Sequence, residues 1–127
     1  MMKEFKKYYV ISAPPADVYK ALTNPWTIQL WSGDKAVMSE IPGSEFELWD
    51  GAICGKNISF EEGFKIEQEW YFGDQEPASM VTIKLHQDKR GTSAELRHTN
   101  IPEEAYENIT EGWDQGYFGA LQEFYKD

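Results

Sequence analysis

The sequence predicts an α+β protein, a curved antiparallel sheet of about six or seven strands wrapped around one long C-terminal helix, with two short helices after strand 1. Three observations predict it. Between Lys35 and Ile101 apolar and polar residues alternate with a period of two. From Pro102 onward the apolar residues recur at steps of three and four. Between the first strand and the alternating region lie two proline-punctuated segments with helical spacing. At 127 residues one domain spanning 1–127 is expected, and a chain of that size buries about two-thirds of its unfolded surface, enough for a true core.

Lys6 to Ser12 is rich in Tyr, Val and Ile and stops at Ala13-Pro14-Pro15, which marks a first strand. A short helix follows. Pro15 suits its first turn, where the missing N–H costs nothing, and Val18, Ala21 and Leu22 recur at helical spacing until Asn24-Pro25 breaks the run. Trp26 to Trp31 forms the second short helix, ending before Ser32-Gly33-Asp34.

In the sheet region Phe46 and Leu48 alternate with Glu45 and Glu47, and Phe64, Ile66, Trp70 and Phe72 alternate with Lys65, Glu67, Glu69 and Tyr71. Val81, Ile83 and Leu85 then alternate with Thr82, Lys84 and His86, and Ala94, Leu96 and His98 with Ser93, Glu95 and Arg97. Such alternation places one face on a core and the other in water. Ile41-Pro42-Gly43, Asp50-Gly51, Glu61-Glu62-Gly63, residues 73–77 and Asp88-Lys89-Arg90-Gly91 all carry turn chemistry. The connections are short, so consecutive strands are expected to pair as a meander.

In the last segment Tyr106, Ile109, Trp113, Tyr117, Ala120 and Phe124 define a narrow stripe on one helix running from Pro102 to about Lys126. The curved sheet is the surface it must cover. Gly112, Gly116 and Gly119 lie along one edge of the stripe, where glycine costs nearly 1 kcal/mol each relative to Ala. Either small residues admit a neighbouring backbone or a ligand there, or packing simply tolerates them. Phe118, Leu121 and Tyr125 widen the apolar arc, which extends the core or offers a docking patch for a partner.

Charge and cysteine usage exclude several classes. Twenty-two Asp and Glu against 12 Lys and Arg give a net charge of −10, unsuited to a nucleic-acid backbone or an anionic membrane. The acidity is concentrated in residues 40–76 and 103–127, a solvated surface or one that faces a partner. The longest apolar run, Gly116 to Leu121, is far short of the roughly 20 residues of a membrane span. The N-terminus has no signal-peptide core, so the expected location is cytoplasmic. Cys54, alone, can form no internal disulfide.

Catalytic and metal chemistry find little to stand on. His86 and His98 fall on different strands with no ligand spacing, so no metal and no cofactor is expected. No nucleophile motif surrounds a Ser or Cys. Glu67 and Glu69 share a polar strand face with Lys65, where a carboxyl stays solvated. His98 stands apart, because its register turns it inward toward Trp113 and Tyr117, where it either makes a structural hydrogen bond or serves as acid, base or ligand donor. His98, Gln68, Lys56 and the tyrosines are nearly all the polar groups expected to face inward, a scarcity that favours binding over catalysis.

The order of these elements is that of the helix-grip, START-like arrangement. Residues 11–23 (Ile11-Ser12-Ala13-Pro14-Pro15-Ala16-Asp17-Val18 onward), Trp31, Asp50-Gly51, Trp70, Ser79 to Ile83, Gly91-Thr92 and Gly112-Trp113 resemble the activator of heat-shock protein 90 ATPase family, specifically its C-terminal domain. His98-Thr99-Asn100-Ile101-Pro102 and Tyr117-Phe118 are similar to the domain of the eukaryotic co-chaperone, which carries a separate N-terminal domain as well. The resemblance spans nearly the whole chain. It implies the helix-grip fold and a choice of roles: binding of a hydrophobic small molecule between sheet and C-terminal helix, stimulation of a heat-shock protein 90 chaperone in a stress response, or a polyketide cyclase or hydratase activity using His98 with a Tyr. For the first role Trp31, Phe46, Leu48, Trp70, Leu96, His98, Trp113 and Tyr117 are the expected cavity lining. For the second, Phe118, Leu121 and Tyr125 are the expected partner surface. Open cavity and solid core remain equal alternatives on the sequence.

Overall fold

The computed structural model describes residues 2–71 and 78–126. Six strands form one antiparallel sheet: β1 (Met2–Ile11), β2 (Glu45–Leu48), β3 (Ile53–Glu61), β4 (Lys65–Trp70), β5 (Ser79–Asp88) and β6 (Gly91–Pro102). Their order across the sheet is β1-β6-β5-β4-β3-β2, so β2 to β6 run as the expected meander and β1 closes on β6. Ile66, Val81, Ile83, Leu85, Ala94 and Leu96 are all buried on one face, where the period-two pattern put them. Phe64 differs. It sits in the β3–β4 turn rather than in the strand and is two-thirds exposed. Phe72 and the expected turn at 73–77 lie outside the described residues.

Two short helices follow β1. In α1 (Pro15–Thr23) the proline occupies the first turn and Val18, Ala21 and Leu22 are buried. Asn24, expected only as a breaker, also starts α2 (Pro25–Ser32), where its side chain accepts from the Trp26 and Thr27 amides at 3.0 and 3.1 Å. Gly33, with φ 78°, ends α2 in the left-handed conformation.

The C-terminal segment packs across the concave face, but not as one continuous α-helix. A 3₁₀ turn (Glu103–Ala105) leads into α3 (Tyr106–Glu111), then a π-helical turn (Gly112–Tyr117), then α4 (Phe118–Phe124). The Phe118 amide donates to the Trp113 carbonyl, five residues back. This wider turn holds an extra residue and shifts the phase of everything after it. Up to the end of the turn Ile109, Trp113 and Tyr117 face the core, as the stripe predicted; beyond it Phe118, Leu121 and Tyr125 do so, Ala120 of the stripe stays partly buried, and Phe124 is turned out to 41% exposure. The π turn also explains one of the three glycines, since a Cβ at Gly119 would collide with the Asp114 carbonyl oxygen.

The expected partner surface is corrected by the same phase shift. Phe118 and Leu121 are fully buried, with Phe118 stacked on Tyr9 at 4.4 Å between ring centres, and Tyr125 packs against the core while its hydroxyl donates to the Asp17 carbonyl at 3.3 Å. These side chains hold the helix to the sheet and leave no apolar arc for docking.

Candidate functional site

The interior between sheet and C-terminal helix is built around Trp113. Its Nε1–H donates to Nδ1 of His98 at 2.9 Å. That contact fixes the imidazole tautomer, because Nδ1 must carry the lone pair and Nε2 the proton. Nε2–H then donates to Ser79 Oγ at 2.6 Å, and Ser79 donates onward to the Thr99 carbonyl at 3.0 Å. His98 and Ser79 are fully buried. Burial lowers the imidazole pKa to about 4, so His98 is neutral at physiological pH. Although a Ser–His contact of 2.6 Å has the spacing of a nucleophile and base, the proton sits on the wrong nitrogen for that role and both side chains are fully buried.

A second buried polar chain lies on β3 and β4. Trp70 Nε1–H donates to Gln68 Oε1 and Gln68 Nε2 to Asn57 Oδ1, both at 3.0 Å. Asn57 Nδ2 donates to Ser44 Oγ at 3.1 Å and the Ser39 carbonyl at 3.2 Å. Asn57 occupies the inward place expected for Lys56, which is exposed; the two are consecutive in regular register opposite Gln68 and Glu69, so alternation turns them to opposite faces. Asn57 pairs directly with the inward Gln68 across β3 and β4, a register that the sequence pattern did not specify.

The aromatic rings fill the space between these chains. Trp70 stacks on Trp113 at 4.7 Å, and Trp113 meets Tyr117 at 4.6 Å and Phe118 at 5.8 Å. Trp31, whose Nε1–H donates to the Ala21 carbonyl at 2.7 Å, meets the Tyr117 ring at 5.1 Å. Phe46, Leu48 and Leu96 are almost completely buried. Of the eight residues expected to line a cavity, Trp31, Phe46, Leu48, Leu96 and His98 therefore lie in packed core.

Trp70, Trp113 and Tyr117 do border an opening. It has a volume of about 260 Å³ and lies where α3 and the π turn pass the β2–β3 connection; Trp49, Ile53, Asn108, Ile109, Gly112 and Gly116 complete its walls. The two glycines remain after Gly119 is accounted for by the helix backbone. A Cβ at Gly112 would meet nothing within 4 Å, and one at Gly116 would only touch Trp49 at 3.9 Å. They leave room rather than permit close packing. Asn108, Gly112 and Gly116 recur every four residues, a spacing visible in the sequence.

Trp49 forms the opposite wall, meeting Trp31 at 6.2 Å and Tyr117 at 6.0 Å. It and Asp50 adopt φ values of 51° and 54°, the left-handed region that bulky side chains avoid. The turn is held by the Asp50 amide donating to the Lys35 carbonyl at 2.9 Å and the Ala52 amide to the Trp49 carbonyl at 3.1 Å. Tyr117 is 4% exposed, yet among the described residues its hydroxyl has no hydrogen-bond partner. Burial raises its pKa, so it stays a phenol.

Among the described residues, no group of three or more His, Cys, Asp or Glu converges, and no helix is long and apolar enough to cross a membrane.

A curved antiparallel sheet gripping a C-terminal helix, with a small apolar opening beside a packed aromatic core, defines a helix-grip domain of the START-like type. Residues 12–126 match the family described as activator of Hsp90 ATPase homolog 1-like protein, and the chain belongs to that family. It is 28% identical over 111 residues to the activator of 90 kDa heat shock protein ATPase homolog of Dictyostelium discoideum, covering 85% of this chain and 29% of that protein. The chain spans about a third of the length of the curated relatives it matches. The crystal structure of an HSP90 activator from Plasmodium falciparum superposes with a TM-score of 0.82 at 26% identity, over 98% of this chain and 95% of that one. The solution structure of the Aha1 dimer from Colwellia psychrerythraea superposes at 0.85 with 15% identity, over 98% and 96%, a likeness of fold.

Proposed function

We propose that this domain is a non-enzymatic binding module that takes a hydrophobic small molecule in the opening between the β2–β3 connection and the C-terminal helix. The observation that carries the reading is the pair Gly112 and Gly116, which keep a helix face open against Trp49 where a Cβ would fit without collision and would favour the helix. Apolar walls with few polar groups are the usual make-up of ligand sites. The neutral, doubly engaged His98 supports binding over catalysis. The test is thermal denaturation against a panel of apolar metabolites and lipids, with the wild type and Gly112→Leu. At a ligand concentration of 100 times Kd, stabilisation of about 2.7 kcal/mol is expected for the wild type and none for the leucine variant. A panel that shifts neither protein removes the reading.

A second reading, contact with an Hsp90-type chaperone, is favoured by the names of the Dictyostelium and Plasmodium relatives. With Phe118 and Leu121 buried, such a contact would use other surface, and the acidic stretches at 40–76 and 103–127 would make it sensitive to salt. Stimulation of a purified chaperone's ATPase that falls between low and high salt supports it; no binding at low salt removes it.

A further inference from the structure

The opening beside Trp49 has more specific chemistry than an apolar hole. Its volume of about 260 Å³ falls just below the ~300–1,000 Å³ of sites for drug-sized ligands, which limits the occupant to roughly two fused rings. Three of its lining residues are tryptophans, Trp49, Trp70 and Trp113. Such rings reward a flat aromatic partner by stacking or edge contact beyond the area buried. Trp49 stands in this wall from a left-handed backbone that its tight turn enforces; strain of this kind, held in place by surrounding hydrogen bonds, marks positions fixed before a ligand arrives.

The polar element is Tyr117. A phenol hydroxyl that is buried without a partner costs about 1–3 kcal/mol, whereas the buried side-chain donors of Trp31, Trp70, Trp113, Gln68 and Ser79 described above are satisfied, as is Thr92, whose hydroxyl donates to the Ala13 carbonyl at 2.7 Å. Tyr117 is the exception, and it lines the opening. Its raised pKa leaves it a donor, never an anion. Asp114, the carboxylate nearest in sequence, is engaged elsewhere, accepting from Tyr9 and Lys7 at 2.6 and 2.8 Å.

We propose that the ligand is a small planar aromatic compound bearing a hydrogen-bond acceptor, its ring set among Trp49, Trp70 and Trp113 and its acceptor taking the Tyr117 hydroxyl proton. This rests on the reading of the opening as a small-molecule site, and names the class of molecule.

Quinoline, naphthalene and decanoate serve as probes. The first two share a shape and differ by one ring nitrogen acceptor; the third is flexible and aliphatic. Binding is followed by amide and indole N–H chemical shifts of Trp49, Gly112, Trp113 and Gly116 on titration. Both bicyclic probes are expected to shift these signals saturably, and decanoate to bind at least tenfold more weakly. Tyr117→Phe is expected to weaken quinoline about five- to tenfold and leave naphthalene unchanged, and this difference of ratios cancels the unequal hydrophobicity of the probes. Equal weakening of both bicyclic probes, or none of either, overturns the assignment of Tyr117. Decanoate binding as tightly as naphthalene overturns the aromatic class while leaving the small-molecule site standing. No saturable shift with any probe overturns the site itself.

Discussion

The space between sheet and helix has two halves that share Trp113 but are finished differently. In the closed half, around His98, Ser79, Phe118 and Leu121, the polar atoms described have partners and the rings are packed. In the open half, around Trp49, Gly112, Gly116 and Tyr117, a helix face is kept bare and a hydroxyl goes without a partner. A domain that fills one half with large aromatics has the residues to fill the other. The difference therefore separates what holds the fold from what the fold is free to use.

The largest effect should come from breaking the closed half. Trp113→Ala removes the ring stacked on Trp70 and the indole hydrogen bond to His98 Nδ1. A loss of about 4 kcal/mol is expected in urea unfolding, of the size seen for truncated core aromatics, with the protein unfolded or molten if its total stability is near the usual lower range. A loss below about 1 kcal/mol would show that the halves are not distinct.

The closed half should also show in the pH dependence of stability. His98 has a folded pKa of about 4 against 6.5 when unfolded. The unfolded chain therefore binds the extra proton first, and stability is fully present above pH 6.5 and lost as pH falls toward 4, by up to about 3 kcal/mol. Below pH 4 both states are protonated and this slope ends. The check is an imidazole titration by NMR alongside unfolding at several pH values; a buried histidine that titrates near 6.5 would mean the half is not closed.

Glycine substitution compares the two halves within one helix. Gly112 has φ −60° and free space beyond it, so Gly112→Ala should stabilise by up to about 1 kcal/mol. Gly119→Ala should destabilise, because the new Cβ meets the Asp114 carbonyl. Thermal melts of the two variants should move in opposite directions. Like signs would show that the glycines are equivalent, as the sequence alone left them.

Most of the fold was legible because burial on one face of a strand leaves a period of two, and Val81, Ile83, Leu85, Ala94 and Leu96 record it directly. The C-terminal stripe was legible as far as Tyr117 and, beyond it, at Ala120 but not at Phe124. A π turn adds a residue without any residue type that announces it, so Phe118 and Leu121 read as either core extension or docking patch when they are core, and Phe124 read as core when it is 41% exposed. The candidate site was half legible for a related reason. Trp70, Trp113 and Tyr117 lie on periodic elements, whereas Trp49 reaches the opening through a left-handed turn that side-chain alternation does not encode. Trp31, Phe46, Leu48, Leu96 and His98 were correctly turned inward, but inward position does not distinguish filled space from empty.

The smallest predicted effect on stability discriminates most finely. Tyr117→Phe deletes a hydroxyl that has no partner among the described residues while keeping the ring among Trp31, Trp49 and Trp113. In a closed interior, removing a satisfied hydroxyl costs about 1 kcal/mol. Here no hydrogen bond is lost and the burial penalty of the oxygen disappears, so unfolding in urea should change by less than about 0.5 kcal/mol or shift toward greater stability. A hydroxyl retained at no benefit to the fold has to be explained by something outside it, which is why a neutral result here would strengthen the case for a ligand. A loss of 1 kcal/mol or more would instead place Tyr117 with His98 in the closed half and remove the polar feature that sets the open half apart.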